Sequence, residues 1–215
     1  MINQRLNEIR APEKVSGPKA AIRTGAALIA GMALGVFAKW LDNLALDSTV
    51  WWHRLMDALD LGNFFSEPAV WLLAALLLAV FSASARRAAL NVFVFFAGMC
   101  AAYHLYTVCF SGFDPASYMM LWYGITAISP LLGALCWYAR GSGMAALVLG
   151  IGILAVFWIS CFAIGIVYVC WKGLLYGLVF VGAAAALYRS PKQMLVSLPL
   201  GLVLAILFSP VWPYR

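Results

Sequence analysis

The chain has 215 residues, 65% of them hydrophobic and 10% charged, with a net charge of +6 and a mean hydropathy of +0.94. Water-soluble domains carry about 45 to 50% apolar and about 25% charged residues, which excludes a soluble globular protein. The length suits one domain, so the expectation is a single bundle of α-helices bathed in lipid.

In chain order, residues 1–19 are polar and contain Pro12, Gly17 and Pro18. They read as a cytoplasmic tail and not a signal peptide, because the basic residues are dispersed and the following apolar run continues to span length without a small-residue cleavage site. Residues 20–215 form the membrane domain. A bilayer core of about 30 Å needs about 20 apolar residues, with a range of about 17 to 25, and seven stretches qualify: 24–41, 68–84, 88–110, 116–138, 143–169, 173–188 and 194–210. The sixth is short and preceded by Lys172, so the fifth and sixth are also readable as one broken or tilted hairpin with the lysine at the interface.

Between the first two spans, the segment 48–61 predicts an interfacial helix. Ser48 or Thr49 is its expected cap and Gly62 its expected terminator. Trp51, Leu55 and Leu59 recur at helical spacing, while His53, Asp57 and Asp60 point the other way.

The charges orient the chain. Arg5, Arg10, Lys14, Lys19, Arg23, Arg86, Arg87, Arg140, Arg189 and Lys192 fall on one side, whereas Lys39, Arg54, Lys172 and Arg215 fall on the other. Short loops rich in Lys and Arg stay cytoplasmic, so the amino terminus is expected inside and the carboxyl terminus outside. Asp42, Asp47, Asp57, Asp60, Glu67 and Asp114 then lie outside. Scattered over four short segments, the basic residues form no nucleic-acid-binding motif.

Chemistry-bearing motifs are sparse. There is no nucleophile elbow, phosphate-binding loop or dinucleotide fingerprint, and no Cys/His spacing suited to a metal. An enzyme, a metal site and a cofactor are therefore not expected. Cys100, Cys136 and Cys161 lie within spans as small apolar fillers. Cys109 and Cys170, near the outer ends of spans, are a pair only if their backbones approach to bridging distance in an oxidising compartment.

His104 is the one ring base inside a span. Counting up the third span, it lies about 24 Å from the inner end at 1.5 Å per residue. Ala97, Cys100, Ala101, Thr107 and Val108 share its face, while Val92, Phe95, Met99 and Phe96 occupy the face expected to meet lipid or a bulky neighbour. A polar residue within a membrane bundle is a functional candidate, and the alternative role is a hydrogen bond between helices. Aromatic residues gather towards the outer side, which suits an interfacial belt. It equally suits an outward cup in which Trp122 and Tyr123 with Asp57, Asp60 and Asp114 attract a small cationic or amphipathic solute.

For packing, Ala27, Gly31 and Gly35 line one face of the first span and Gly173 and Gly177 open the sixth, a small-xxx-small spacing that permits close helix approach. Pro130 removes a helical hydrogen bond and predicts a kink or hinge in the fourth span. The inverted repeat of many secondary transporters is absent from the sequence.

The runs LDNL at 41–44, LDLGNFF at 59–65, RAALNVFVFFAGM at 87–99 and SPLLGALCWYARG at 129–141 resemble those of a poorly characterised group of small polytopic bacterial membrane proteins. That resemblance implies a bacterial inner membrane location and brings no assigned activity. A more distant similarity is to the substrate-binding units of energy-coupling-factor transporters, which are small, helical and marked by small-xxx-small spacing in the first helix. The seventh span departs from that family's six. The expected function is a solute-binding or transport component with its site in the outer half of the bundle. The alternative is an accessory or assembly protein that acts through helix contacts with a membrane partner or a second copy.

Cysteine-accessibility labelling tests the orientation. Positions 87, 140 and 190 should react only from inside, and positions 55 and 114 only from outside. A reversed or mixed pattern would overturn the charge argument.

Overall fold

A computed structural model describes residues 2–212; Arg215, assigned above to the outer side, lies outside the described residues. Ten α-helices run in the order α1 (Ile2–Ile9), α2 (Gly17–Asp42), α3 (Trp51–Ala58), α4 (Leu61–Ser66), α5 (Pro68–Val80), α6 (Ala85–Tyr106), α7 (Ala116–Ala139), α8 (Gly143–Cys161), α9 (Leu174–Leu187) and α10 (Pro191–Phe208). One two-stranded antiparallel hairpin, β1 (Phe162–Ile164) with β2 (Val169–Trp171), interrupts them. The all-helical expectation holds, and this is the build of a multi-pass membrane protein.

Among the described residues five helices are long and apolar enough to cross a bilayer: α2, α6 with its continuation to Ser111, α7, α8, and α10 with its continuation to Val211. The other two expected spans are shorter. Helix α5 has 13 residues and α9 has 14, about 20 Å each at 1.5 Å per residue. Their ends are cut by identifiable features. Pro68 at the first turn of α5 fixes its start, and Gly173, with φ of 142°, sets the start of α9.

The expected fifth span, 143–169, ends early. Helix α8 stops at Cys161, and FAIGIVYVCW forms the hairpin, Phe162 opposite Trp171 and Ile164 opposite Val169. Gly165 N–H donates to the Tyr168 carbonyl at 2.9 Å and closes the turn. Ile, Val, Tyr and Trp are strand formers, and a short apolar run of that kind has no period that separates strand from helix.

The bundle is organised around α2 and α6. A Cβ on Gly31 would collide with the Phe95 carbonyl oxygen, one on Gly35 would stand 2.5 Å from the Met99 carbonyl oxygen, and one on Gly98 would stand 2.8 Å from the Leu28 carbonyl oxygen. The two backbones therefore touch, with glycines supplied from both sides. Ala27 is buried in the same seam. Gly177 does different work: its missing side chain makes room for the Trp171 ring of the hairpin.

This contact turns the bulky face of α6 into the bundle and the His104 face, expected inward, towards the side. Val92, Phe95, Phe96 and Met99, expected to meet lipid or a bulky neighbour, are buried in the core with Trp71, Met119, Trp122 and Trp137, so the bulky neighbour is what they meet. The cause is the seam: Gly98 must face α2, which carries the bulky residues flanking it inward.

Pro130 lies within an unbroken α7. The carbonyl it leaves without an amide partner is that of Thr126, and Ser129 Oγ donates to it at 2.8 Å.

The amino-terminal segment is a strap across the basic end. Arg10 donates to the carbonyls of Trp137 (2.9 Å) and Val80 (3.0 Å) and lies over the Trp137 ring. Those carbonyls belong to the last turns of α7 and α5, which lack helical partners and carry the negative end of the helix dipole. Burial holds the Arg10 pKa below its ordinary value. Ser142 N–H donates to the Ile9 carbonyl (2.6 Å), and Glu13 N–H donates to that of Ala83 (2.8 Å).

At the other end α3 is shorter than expected, and its amino end at Val50 has no side-chain cap. Asp60, in the left-handed region with φ of 49°, separates α3 from α4, and Gly62 lies inside α4 instead of terminating α3. Trp51 and Leu55 are exposed on the outer surface of the fold. His53 is turned in, 9% exposed, and its Nδ1 accepts from the Asp47 N–H at 2.8 Å. Thr49 donates its N–H and O–H to the Asp47 carboxylate, which holds that group below its ordinary pKa. A carboxylate lowered this way supports the folded loop above its ordinary titration range and withdraws that support as pH falls through its folded value. Cys109 and Cys170 are both free thiols.

Replacing Gly35 or Gly31 by Leu forces a side chain into the opposing backbone. The expected loss is about 1–3 kcal/mol or more, read as a fall in thermal midpoint in detergent. Gly25→Leu, where nothing lies within 4 Å, is the control and should leave the midpoint near its parent value. Equal losses at positions 25 and 35 would place the interface elsewhere.

Candidate functional site

Helix α6 does not end cleanly. After Tyr106 it widens into a π turn, Thr107–Ser111, closed by a Gly112 N–H donated to the Thr107 carbonyl at 3.1 Å. Gly112 has φ of 73°, a conformation that favours glycine. Single π turns recur at functional positions. This one carries the chain over to Asp114, whose carboxylate accepts the Ala116 N–H at the start of α7 (2.8 Å).

That path sets a polar group between α6 and α7. His104 Nδ1 and Tyr123 Oη are 2.6 Å apart, and His104 Nε2 lies 3.7 Å from Asp114 Oδ1. In the neutral ring facing a carboxylate, Nε2 carries the proton and the Tyr123 O–H donates to Nδ1. The 3.7 Å separation is longer than a hydrogen bond. It leaves the Asp114 carboxylate with capacity to accept from a further donor beside the ring. His104 is 32% exposed at its side chain and Asp114 71%.

One turn below His104, Cys100 Sγ and Thr126 Oγ1 are 3.4 Å apart, and Thr126 donates to the Trp122 carbonyl at 2.8 Å. That hydroxyl proton is spent, so the thiol donates to Thr126. These residues, with Phe93, Ala97, Ala101, Leu105 and Ala127, line a groove of about 540 Å³. The groove is open along its side: Phe93, Ala101, Leu105 and Ala127 are exposed. It has an apolar body and one polar end.

Of the expected site residues, the structure brings together His104, Tyr123 and Asp114. Trp122 faces the other way and is buried against Trp71, ring centroids 5.9 Å apart. Asp60 is engaged with Asn63 of α4, and Asp57 lies on α3; neither lines the groove. His104, expected to point into the bundle, sits at this lateral opening.

A second polar group had no expectation attached. Lys39, buried at the end of α2, stands 3.8 Å from Asp42 and over the rings of Tyr103 and Phe113. Asp42 also accepts from Ser66 (2.8 Å) and Tyr103 (3.1 Å), and Asn43 donates to Ser111 (2.9 Å). The i,i+3 spacing of Lys39 and Asp42 was the available signal, and it tied α2 to α4 and α6. A third joins Lys172 of the hairpin to Glu67 ahead of α5 at 2.8 Å. No group of three metal-ligating side chains occurs among the described residues.

The chain matches no family model, no curated protein and no solved structure.

The His104–Tyr123 bond is testable apart from function. Tyr123→Phe removes only the phenol, so the ring nitrogen signals of His104 should shift in a selectively labelled sample while the thermal midpoint changes little, an interhelical hydrogen bond averaging roughly 0.6 kcal/mol in membranes. Unmoved signals would separate the two residues.

Proposed function

We propose that this protein binds an amphipathic solute in the groove between α6 and α7, as a solute-binding or transport component of a bacterial cytoplasmic membrane. The observation that carries the reading is the coincidence of a lateral apolar groove with His104 and Tyr123 on its lining and Asp114 standing 3.7 Å from the far side of the His104 ring. An apolar body lies along Phe93, Ala97 and Leu105, and a cationic or donor head enters beside Asp114, where it meets a carboxylate and the accepting face of the phenol. Entry is from the lipid, because the groove opens sideways.

In this reading the amino terminus is inside. The strap of Arg10 and the turn holding Arg140 occupy the inner end, and His104 with Asp114 occupies the outer end. Helices α5 and α9 complete seven crossings as short elements, α5 largely buried among the longer helices and α9 with Leu174, Leu178 and Val181 exposed along one face. A second reading, an accessory protein working through helix contacts, draws on the same groove. Ala101, Gly124 and Ala127 are small and exposed beside it, which suits a partner helix or a second copy.

The test is a thermal-shift comparison of detergent-purified protein with dodecylammonium, dodecanol and laurate, since a ligand of the native state raises apparent stability. Dodecylammonium should raise the midpoint most, and His104→Ala and Asp114→Asn should each remove the gain while keeping the parent midpoint without ligand. An ammonium effect that survives both variants, or none at all, would defeat the solute reading, and a co-purifying helix protected at Ala101 would favour the accessory one.

A further inference from the structure

The β-hairpin, the outer end of α8 and the turn after α10 enclose a second cavity, about 400 Å³, which shares no lining residue with the α6–α7 groove. Ile159, Phe162, Ile164 and Ile166 make its walls apolar. Two of its polar side chains, Trp212 and Lys172, can only donate. Trp212 Nε1, on the lining, is buried and has no hydrogen-bond partner among the described residues, and an indole N–H can only donate. Lys172, also on the lining, donates to Glu67 at 2.8 Å and to the Ser160 carbonyl at 3.4 Å, leaving one of its three protons unassigned.

Buried donors are normally satisfied. Water would serve one of them, but a cavity with four apolar walls and two donors on its lining fits a longer guest better. Glu67 neutralises Lys172, so the cavity does not select for charge; it selects for an acceptor. We infer that this cavity is a binding site for an acyl chain whose head is an oxygen acceptor, a carboxylate or an ester carbonyl. The head accepts from Trp212 Nε1 and Lys172 Nζ, and the chain lies against Ile159, Phe162 and Ile164. The two sources of that chemistry are a free fatty acid and a glycerolipid ester, both at hand where a helix leaves the membrane.

The experiment uses the full chain in detergent with laurate, methyl laurate and dodecylammonium as probes, and Trp212→Phe and Lys172→Met as variants. Trp212→Phe keeps an aromatic ring while removing the N–H with the pyrrole half of the indole, and it leaves Lys172 paired with Glu67, so it tests the site even if Lys172→Met strands Glu67. Laurate, methyl laurate or both should raise the thermal midpoint, and Trp212→Phe should weaken the apparent affinity roughly fivefold, the size of one hydrogen bond. A gain with laurate alone names the free acid, and a gain with methyl laurate names the ester. The dodecylammonium response should be insensitive to Trp212→Phe whether or not the α6–α7 groove binds it. If neither acceptor probe acts, if Trp212→Phe binds both as the parent does, or if the ammonium response also depends on Trp212, the inference is overturned.

Discussion

Everything in this fold is referred to the backbone contact between α2 and α6. In lipid there is no hydrophobic gain from pressing two apolar helices together, so their association rests on packing and on interhelical hydrogen bonds. Gly31, Gly35 and Gly98 let carbonyls of one helix reach the surface of the other, and no larger residue fits at those points. The rotation of α6 follows from this seam. Phe95 and Met99 go inward with it, and α7 then packs on the bulky face they create.

The largest polar networks sit where helices end, and there they have most to offset. The last carbonyls of α5 and α7 are taken by one guanidinium, Arg10, brought from the far amino-terminal segment. At the opposite end Asp42 gathers Lys39, Ser66 and Tyr103. Each set ties three or more segments across their termini, where an unpaired backbone group in a poorly hydrated region would cost most. The seam fixes which faces meet, and the end networks fix how far each helix slides along its neighbour.

Much of this was legible in the sequence, for reasons that also mark its limit. Hydropathy located every long helix, and the Ala27, Gly31, Gly35 spacing located the face of α2 that meets a neighbour, because small size is a local property. Which face of α6 meets it was not legible. Lipid is as apolar as a core, so Phe95 and Leu105 have the same hydropathy and opposite fates, and only the position of Gly98 separates them. The hairpin was hidden in the same way: Phe162 to Trp171 is apolar throughout, and neither its composition nor its length opposed a helix. Arg10 read as part of a solvated tail, since no local signal reports that two carbonyls from residues 70 and 127 positions away need a donor. His104 was visible as an oddity of composition. Its partners Tyr123 and Asp114 were visible only as members of a larger set, and the three-dimensional path through the π turn selected them from it.

The inverted face of α6 also decides what kind of site His104 makes. Had the alanines faced the core, His104 would have been enclosed, and a solute would have needed a channel to reach it. With Phe95 and Met99 inward, the small residues Ala97 and Ala101 are left at the side, and their shallow surface becomes a groove under the histidine. The same three glycines that seat α2 thus displace the polar group from the bundle interior to its lateral wall. A ring held at 2.6 Å by Tyr123 and standing off Asp114 by 3.7 Å is fixed on one side and open on the other. That asymmetry leaves one ring nitrogen accessible, as the proposed solute site requires.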